Sequence, residues 1–192
     1  VHFIDVGQAD SILIQLPNGQ IMLVDAGNND DGNMVADYLR NNNVQQIDYL
    51  VGTHPHEDHI GGLDTVIQNF TIGAVYMPRV THTTSTFQDV LRAVQAKGLK
   101  ITPAGAGVEL VNTDGLKVSL LAPLKSRYDE LNNYSAVIKI TYGEVSFLLT
   151  GDAEELSETE MLAASEAALK ADVLKIGHHG SATASGQPFR QA

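Results

Sequence analysis

Short apolar runs alternate with amphipathic stretches along this chain, and the alternation predicts an α/β fold. Runs of apolar and β-branched residues bounded by turn residues predict strands over 2–6, 11–16, 20–25, 47–52, 72–77, 108–111, 116–122, 136–142, 145–150 and 172–176. Apolar positions three or four apart predict helices over 34–43, 63–70, 86–97 and 157–170. The last helix opens with Ser157-Glu158-Thr159-Glu160, which has the form of a capping box.

The order of these elements predicts their arrangement. Strands come first, helices and strands follow in alternation, and a second group of strands returns. This order is typical of an αββα sandwich, in which two mixed sheets carry helices on their outer sides. The 192 residues suffice for one sizeable core, so a single domain over 1–192 is expected. No apolar run approaches the roughly 18 to 20 residues that span a bilayer.

Composition restricts the chemistry that this fold can carry. The chain has no cysteine, so disulfides, iron–sulfur clusters and Cys-ligated zinc are excluded and any metal must use His, Asp or Glu. With 12 basic and 23 acidic residues the formal net charge is −11, which counts against a dedicated nucleic-acid-binding module. It counts less against a metal site acting on phosphates, because bound cations dominate the local field.

The most distinctive segment is Thr53-His54-Pro55-His56-Glu57-Asp58-His59, which follows the strand predicted over 47–52. In an extended chain His54, His56 and Asp58 point to the same side, and His59 adds a fourth ligand. Pro55 restricts the backbone before it to extended geometry. This ligand set suits zinc, manganese or iron. A plain solvated loop is the alternative, and so dense a group of ligands after a buried strand argues against it.

Two further strand ends carry polar residues of the same kind. Asp152 follows the strand over 145–150, where a carboxylate can bridge two cations about 3.5 to 4 Å apart; taken alone, Thr150-Gly151-Asp152 is more typical of a turn. The segment His178-His179-Gly180-Ser181 follows the last strand. Together the three segments predict a metal site. His82, in a polar loop, and His2, in the first strand, are interpreted as surface and structural residues.

These motifs resemble the metallo-β-lactamase superfamily. The order of His54-x-His56-x-Asp58-His59, Asp25 within Leu23-Val24-Asp25-Ala26-Gly27, Asp152 and His178-His179 is typical of it. More narrowly, Phe3-Ile4-Asp5-Val6-Gly7-Gln8-Ala9-Asp10-Ser11, Leu149-Thr150-Gly151-Asp152 and His178-His179-Gly180-Ser181 look like the hydrolase domain of the ComEC competence proteins and their stand-alone relatives. The resemblance covers nearly the whole chain.

The resemblance implies two divalent cations, zinc or manganese. The implied ligands are His54 and His56 for the first cation, Asp58, His59 and His179 for the second, and Asp152 as the bridge. His178 would then lie near the substrate, although the reverse assignment of the two histidines stays open. Asp25 corresponds to a structural carboxylate that supports the histidines; a strand-end turn residue is the alternative interpretation.

Two departures from the family pattern bear on activity. No histidine occurs between Lys100 and Gly177, so the first cation lacks its usual third imidazole and should bind more weakly. The segment Asn133-Tyr134-Ser135 stands in that place, and Asn133 or Ser135 is expected to contact substrate or water. The family normally continues beyond the position of Ala192, which predicts a C-terminally incomplete domain.

The function implied is hydrolysis by a metal-activated hydroxide, with Asp58, His178 and Ser135 as catalytic residues. The ComEC resemblance implies that the substrate is DNA, as a single strand. It also implies a membrane channel upstream in the same polypeptide and an extracytoplasmic location of the hydrolase domain. No P-loop occurs, so no nucleotide cofactor is expected. The alternatives are a stand-alone soluble hydrolase of a small ester, lactam or phosphodiester, and a non-catalytic metal-binding or DNA-positioning domain of a membrane channel.

Overall fold

The computed structural model describes all residues from 1 to 192, in two compact units, Val1–Pro103 and Ala104–Ala192. Each unit contains one mixed β-sheet and its own helices. None of the helices combines the length and the apolar character needed to cross a membrane.

The first unit is built on a six-stranded sheet whose strands follow one another in chain order. They are β1 (His2–Phe3), β2 (Ile12–Gln15), β3 (Ile21–Val24), β4 (Gln46–Val51), β5 (Thr71–Met77) and β6 (Ile101–Pro103). Strands β1 to β3 pair antiparallel, and β3 to β6 pair in parallel. Since β3 and β4 are parallel neighbours, the residues that follow them emerge at the same edge of the sheet.

Helices form the crossovers that the parallel strands require. They are α1 (Gly32–Asn41), α2 (Glu57–Ile60), α3 (Leu63–Asn69) and α4 (Ser85–Ala96). Val35 and Leu39 of α1, with Val90 and Val94 of α4, belong to the buried apolar cluster of this unit. Helix α4 begins after Thr84, whose hydroxyl accepts a hydrogen bond from the Phe87 N–H.

The second unit contains a five-stranded sheet. Its strands are β7 (Glu109–Thr113), β8 (Leu116–Ala122), β9 (Val137–Tyr142), β10 (Val145–Leu149) and β11 (Val173–Lys175). Strands β7 to β10 form an antiparallel meander, and β11 pairs in parallel with β10. The hydroxyl of Thr150 donates to the Lys175 carbonyl at 2.8 Å, so the chain segments after β10 and β11 leave the sheet side by side.

Helix α5 (Glu155–Leu169) packs against this sheet, with Met161 and Leu169 in the core, and α6 (Gln187–Gln191) follows it. The predicted capping box at Ser157 is wrong, because α5 begins at Glu155 and Ser157 is buried in its first turn. Its N–H donates to the Asn133 side-chain oxygen at 3.2 Å. An amide from another loop therefore satisfies an N–H that lacks a partner within the helix.

The predicted strands and helices are all present, with ends that shift by a few residues. The elements that the pattern did not predict are short: β6, α2 and α6. Their few residues contain too little of a repeating apolar pattern to be recognised. The non-helical backbone at Ser165 within α5 also had no counterpart in the prediction.

Tyr128 holds the long connection between β8 and β9. Its hydroxyl donates to Glu160 of α5 at 2.7 Å and accepts from the N–H groups of Leu124 and Lys125. Its own N–H donates to the Tyr134 hydroxyl at 2.9 Å. Burial, with a further effect from the Glu160 carboxylate, raises the pKa of Tyr128 to about 12. This connection leads into the segment of Asn133 and Ser135.

We expect Tyr128 to ionise near pH 12, whereas an exposed tyrosine ionises near pH 10. Its stabilising contribution is fully present below the unfolded pKa of about 10 and is lost as the pH rises through the folded pKa. Ultraviolet titration should show that Tyr128→Phe lacks one tyrosinate transition near pH 12 that the parent protein has. A missing transition near pH 10 in Tyr128→Phe would contradict this assignment.

Candidate metal centre

The histidine loop, residues 53–59, connects the end of β4 to α2. His56 has extended backbone angles, φ −74° and ψ 150°, but the N–H groups of His59 and Ile60 both donate to its carbonyl and close a helical turn. The prediction of an extended segment through Asp58 is therefore wrong. A helical turn, and not alternation along a strand, sets the directions of Asp58 and His59.

Close backbone packing fixes the position of this turn. A Cβ atom at Gly61 would lie 2.3 Å from backbone atoms of Asn28 and Asn29, and one at Gly62 would lie 2.4 Å from the Ala26 carbonyl oxygen. Glycine is therefore required at both positions. The His59 carbonyl accepts from the Ala26 N–H at 2.8 Å, so the end of α2 is attached to the segment that follows Asp25.

Asp25 is the residue to which the histidine loop is anchored. It is 0% exposed and adopts a φ of 57°, which among residues other than glycine is tolerated best by Asn and Asp. Its carboxylate accepts from the N–H and the hydroxyl of Thr53, at 2.8 and 2.7 Å, and lies 2.8 Å from His59 Nδ1. Because a carboxylate accepts, His59 Nδ1 carries the proton and Nε2 is the nitrogen that would be able to bind a cation.

Thr53 connects the Asp25 carboxylate to His54 by hydrogen bonds. Its hydroxyl donates to Asp25 and lies 3.2 Å from His54 Nδ1, so it accepts from that nitrogen and leaves His54 Nε2 with a lone pair. His54 Nε2 and His56 Nδ1 are 3.0 Å apart. Two zinc–nitrogen bonds of about 2.0 to 2.1 Å at a tetrahedral angle place their nitrogens roughly 3.3 Å apart. The pair therefore fits a divalent cation.

Asp10 is a potential ligand that the sequence interpretation did not assign. Its carboxylate lies 3.8 Å from His59 Nδ1, and its N–H donates to the Asp58 carbonyl at 3.0 Å. It is 8% exposed. The signal was present, because Asp10 is part of a motif used for the resemblance, but a single acid before a strand gives no spacing that suggests a ligand.

In the second unit Asp152 lies at the corresponding edge, where β10 ends. It is 1% exposed, and its N–H donates to the Ser135 hydroxyl at 3.1 Å. His179 Nε2 lies 3.5 Å and His178 Nε2 lies 3.8 Å from its Oδ2. Both histidines have positive φ values, 47° and 49°. The strand end and this unusual backbone turn bring both imidazoles to one carboxylate.

The two histidines differ in their surroundings. His178 Nδ1 lies 3.1 Å from Glu154 Oε1 and 3.1 Å from the Thr183 hydroxyl, and its side chain is 32% exposed. The side chain of His179 is 13% exposed and its Nε2 is nearer to Asp152. The more buried His179 is better suited to ligation, and Glu154 holds His178 with its Nε2 available.

Ser135 and Asn133 have structural contacts at this edge. Ser135 is 0% exposed, and its hydroxyl accepts from the Asp152 N–H. Asn133 is buried, and its side-chain oxygen accepts from the Ser157 N–H. Their predicted role in binding substrate stays a prediction, while these contacts show that both position the segments around Asp152.

The remaining histidines lie as interpreted. His82 is partly exposed in its loop and its Nδ1 lies 3.0 Å from the neighbouring Thr84 hydroxyl. His2 in β1 contacts the Tyr38 hydroxyl at 3.1 Å and packs edge-on against the Tyr38 ring.

Comparisons with known proteins relate this chain to others. A family model described as the metallo-beta-lactamase superfamily matches residues 4–192. ComE operon protein 3 of Bacillus subtilis is 27% identical over 208 residues, which cover 100% of this chain and 26% of that protein. Recombination protein 2 of Haemophilus influenzae is 30% identical over 194 residues, which cover 97% and 22%. The chain thus spans about a quarter of the length of these relatives.

Among solved structures, MEM-A1, a subclass B3 metallo-beta-lactamase isolated from a soil metagenome library, matches with a TM-score of 0.57 at 18% identity. The match covers 89% of this chain and 73% of that one. At this identity the likeness shows the fold alone. It confirms the predicted fold class of two mixed sheets with flanking helices.

We expect Asp25→Asn to weaken cation binding by the histidine loop. Asparagine keeps the size of the side chain and tolerates the positive φ. It has only one side-chain oxygen, however, so it cannot accept at both of the positions where the Asp25 oxygens accept from Thr53 and His59. Loss of such an outer partner lowers metal affinity about 10- to 100-fold, measured by Zn²⁺ competition with a chelating dye. Asp37→Asn, on the exposed side of α1, is the matched control. Equal affinity in both variants would show that Asp25 does not support the site.

Proposed function

Since the chain belongs to the metallo-β-lactamase superfamily, we propose that it is a two-metal hydrolase that cleaves phosphodiester bonds of DNA during competence-linked DNA uptake. The observation that carries the proposal is the approach of His54 Nε2 and His56 Nδ1 to 3.0 Å, with the Thr53 hydroxyl, held by Asp25, fixing the tautomer of His54. Imidazoles oriented in this way are typical of metal sites.

The proposed ligands are those that the resemblance implies. The histidine loop supplies His54 and His56 for one cation and Asp58 and His59 for the other. In the second unit Asp152 and His179 would serve as ligands, and in the first unit Asp10 is an additional oxygen ligand close to His59. Nitrogen and carboxylate ligands without thiolate suit Zn²⁺ or Mn²⁺. The support within each unit is the grouping of these donors around one buried carboxylate, Asp25 or Asp152.

When bound, two divalent cations supply Lewis-acid chemistry, which activates water for attack and stabilises charge on a phosphoryl group. The protein's own residues orient the reacting groups. We propose that Asp58 orients the attacking water and that His178, held through Nδ1 by Glu154, exchanges a proton with substrate at Nε2. Ser135 acts in this scheme through the Asp152 backbone, which it holds in place.

DNA is the proposed substrate because of the resemblance to the ComEC domain and the relatives named for the com operon and for recombination. Single-stranded DNA, an upstream membrane channel in the same polypeptide and an extracytoplasmic location belong to the same proposal. This chain spans about a quarter of the length of these relatives. Cations at the site would offset the net charge of −11 where a phosphate approaches.

The acidic surface favours a second candidate function. A net charge of −11 repels a long polyanion more strongly than a small substrate. We therefore consider, as the alternative, hydrolysis of a small ester, lactam or phosphodiester at the same site.

Metal-stripped protein should cleave single-stranded DNA after addition of Mn²⁺ or Zn²⁺, and Asp58→Ala should lose at least roughly 100-fold in rate, more than loss of an outer partner costs. Asp37→Ala is the control at an exposed position. Gel assays with single- and double-stranded DNA, and a nitrophenyl phosphodiester, separate the candidates. Cleavage of the small ester alone would support the alternative. Binding of DNA and cation without cleavage of any substrate would support a non-catalytic domain.

The two adjacent histidines should respond differently to substitution. We expect His179→Gln to lower the number of bound cations by one, because His179 is the more buried imidazole beside Asp152. His178→Gln should keep the cation stoichiometry and lose hydrolysis. Calorimetry and elemental analysis measure the stoichiometry. The opposite pattern would assign ligation to His178.

A further inference from the structure

Glu158 of α5 is a buried acid outside the proposed ligand set. It is 3% exposed. Its two carboxylate oxygens accept from successive backbone N–H groups, Oε1 from Ser185 and Oε2 from Gly186 at 3.0 Å. Both donors lie in the His-pair loop, residues 177–186, which carries His178 and His179. A buried carboxylate that accepts from two backbone N–H groups is a rigid attachment point.

The attachment continues from Ser185 to the histidines. The Ser185 hydroxyl accepts from the Gly177 N–H at 2.9 Å, and Gly177 directly precedes His178. Gly177 is itself packed closely, since a Cβ atom there would lie 2.9 Å from the Ala153 carbonyl oxygen. The Glu158 carboxylate therefore fixes both ends of the His-pair loop, one directly and the other through the Ser185 hydroxyl.

The backbone of this loop needs such support. His178 and His179 have φ values of 47° and 49°, and Ser185 has 53°. Residues other than glycine persist in this region when the surrounding structure determines their conformation. Glu158 contacts the loop at its Ser185 end, whereas Glu154 contacts Thr183 in its middle and His178 near its start. Two acids at the start of α5, Glu154 just before the helix and Glu158 within it, thus hold the loop.

We propose that Glu158 is a positioning residue that orients the His178 and His179 imidazoles toward Asp152 without contacting them. The inference rests on the proposed function to the extent that these histidines serve a cation and its substrate. A carboxylate is required, because both of its oxygens accept; the amide of a glutamine would direct an NH₂ group at one of the two N–H donors.

The test compares Glu158→Gln with Glu166→Gln, an exposed position on the same helix. Hydrogen exchange of the metal-free full chain reports on the amides of Gly177, Ser185 and Gly186. Calorimetry with Mn²⁺ and with Zn²⁺ reports on the ligands. In Glu158→Gln we expect these amides to exchange at least 10-fold faster and the affinity for one of two cations to fall about 10- to 100-fold. NMR signals of His54 and His56 should stay unchanged, and Glu166→Gln should behave as the parent protein.

Unchanged protection of the three amides in folded Glu158→Gln would overturn the proposal. If that variant does not fold, Ser185→Ala makes the same test, because it removes the link to Gly177 and keeps both N–H donors to Glu158. Faster exchange at Gly177 in Ser185→Ala supports the proposal, and parent-like exchange there overturns it. If the parent protein binds no cation, the proposed function fails, while the exchange data still decide the role of Glu158.

Discussion

The buried carboxylate of Asp25 is the interaction on which the candidate site depends. One side chain accepts from the Thr53 backbone, from the Thr53 hydroxyl and from His59 Nδ1. The Thr53 hydroxyl in turn contacts His54 Nδ1 and so orients the His54 ring. A buried charge is stable when such hydrogen bonds satisfy it, and here those bonds determine which nitrogen of each imidazole faces outward. The parallel pairing of β3 and β4 brings Asp25 and the histidine loop to the same edge.

In the second unit a helix, α5, holds the loops that contain the candidate site residues. Strands β10 and β11 end side by side, and their loops contain Asp152 and the two histidines. The first turns of α5 and the residue before them then hold the surrounding segments: the Ser157 N–H donates to Asn133, Glu154 contacts His178, and Glu160 accepts from Tyr128. The loops of the site are therefore fixed by contacts with a regular element, which is how precise positioning is obtained from irregular backbone.

Much of this organisation could be predicted from the sequence. Apolar periodicity predicts the strands and helices. The density of potential ligands after a strand predicts that the segment around His54 belongs to a metal site. The directions of Asp58 and His59 could not be predicted, because a helical turn as short as α2 has no periodic signature. Asp10 was not identified, because its proximity to His59 arises from tertiary packing. Similarly, the buried position of Ser157 is set by Asn133, and local propensity suggested a cap there instead.

The dependence of the metal site on Asp25 is tested most directly by locating cations through anomalous X-ray scattering from crystals of the full chain loaded with Mn²⁺ or Zn²⁺. We expect one anomalous peak bonded to His54 Nε2 and His56 Nδ1 and a second bonded to His59 Nε2, with Asp25 behind the histidines and bonded to neither ion. Saturated crystals with no peak at these nitrogens, or with Asp25 as a direct ligand, would contradict this expectation.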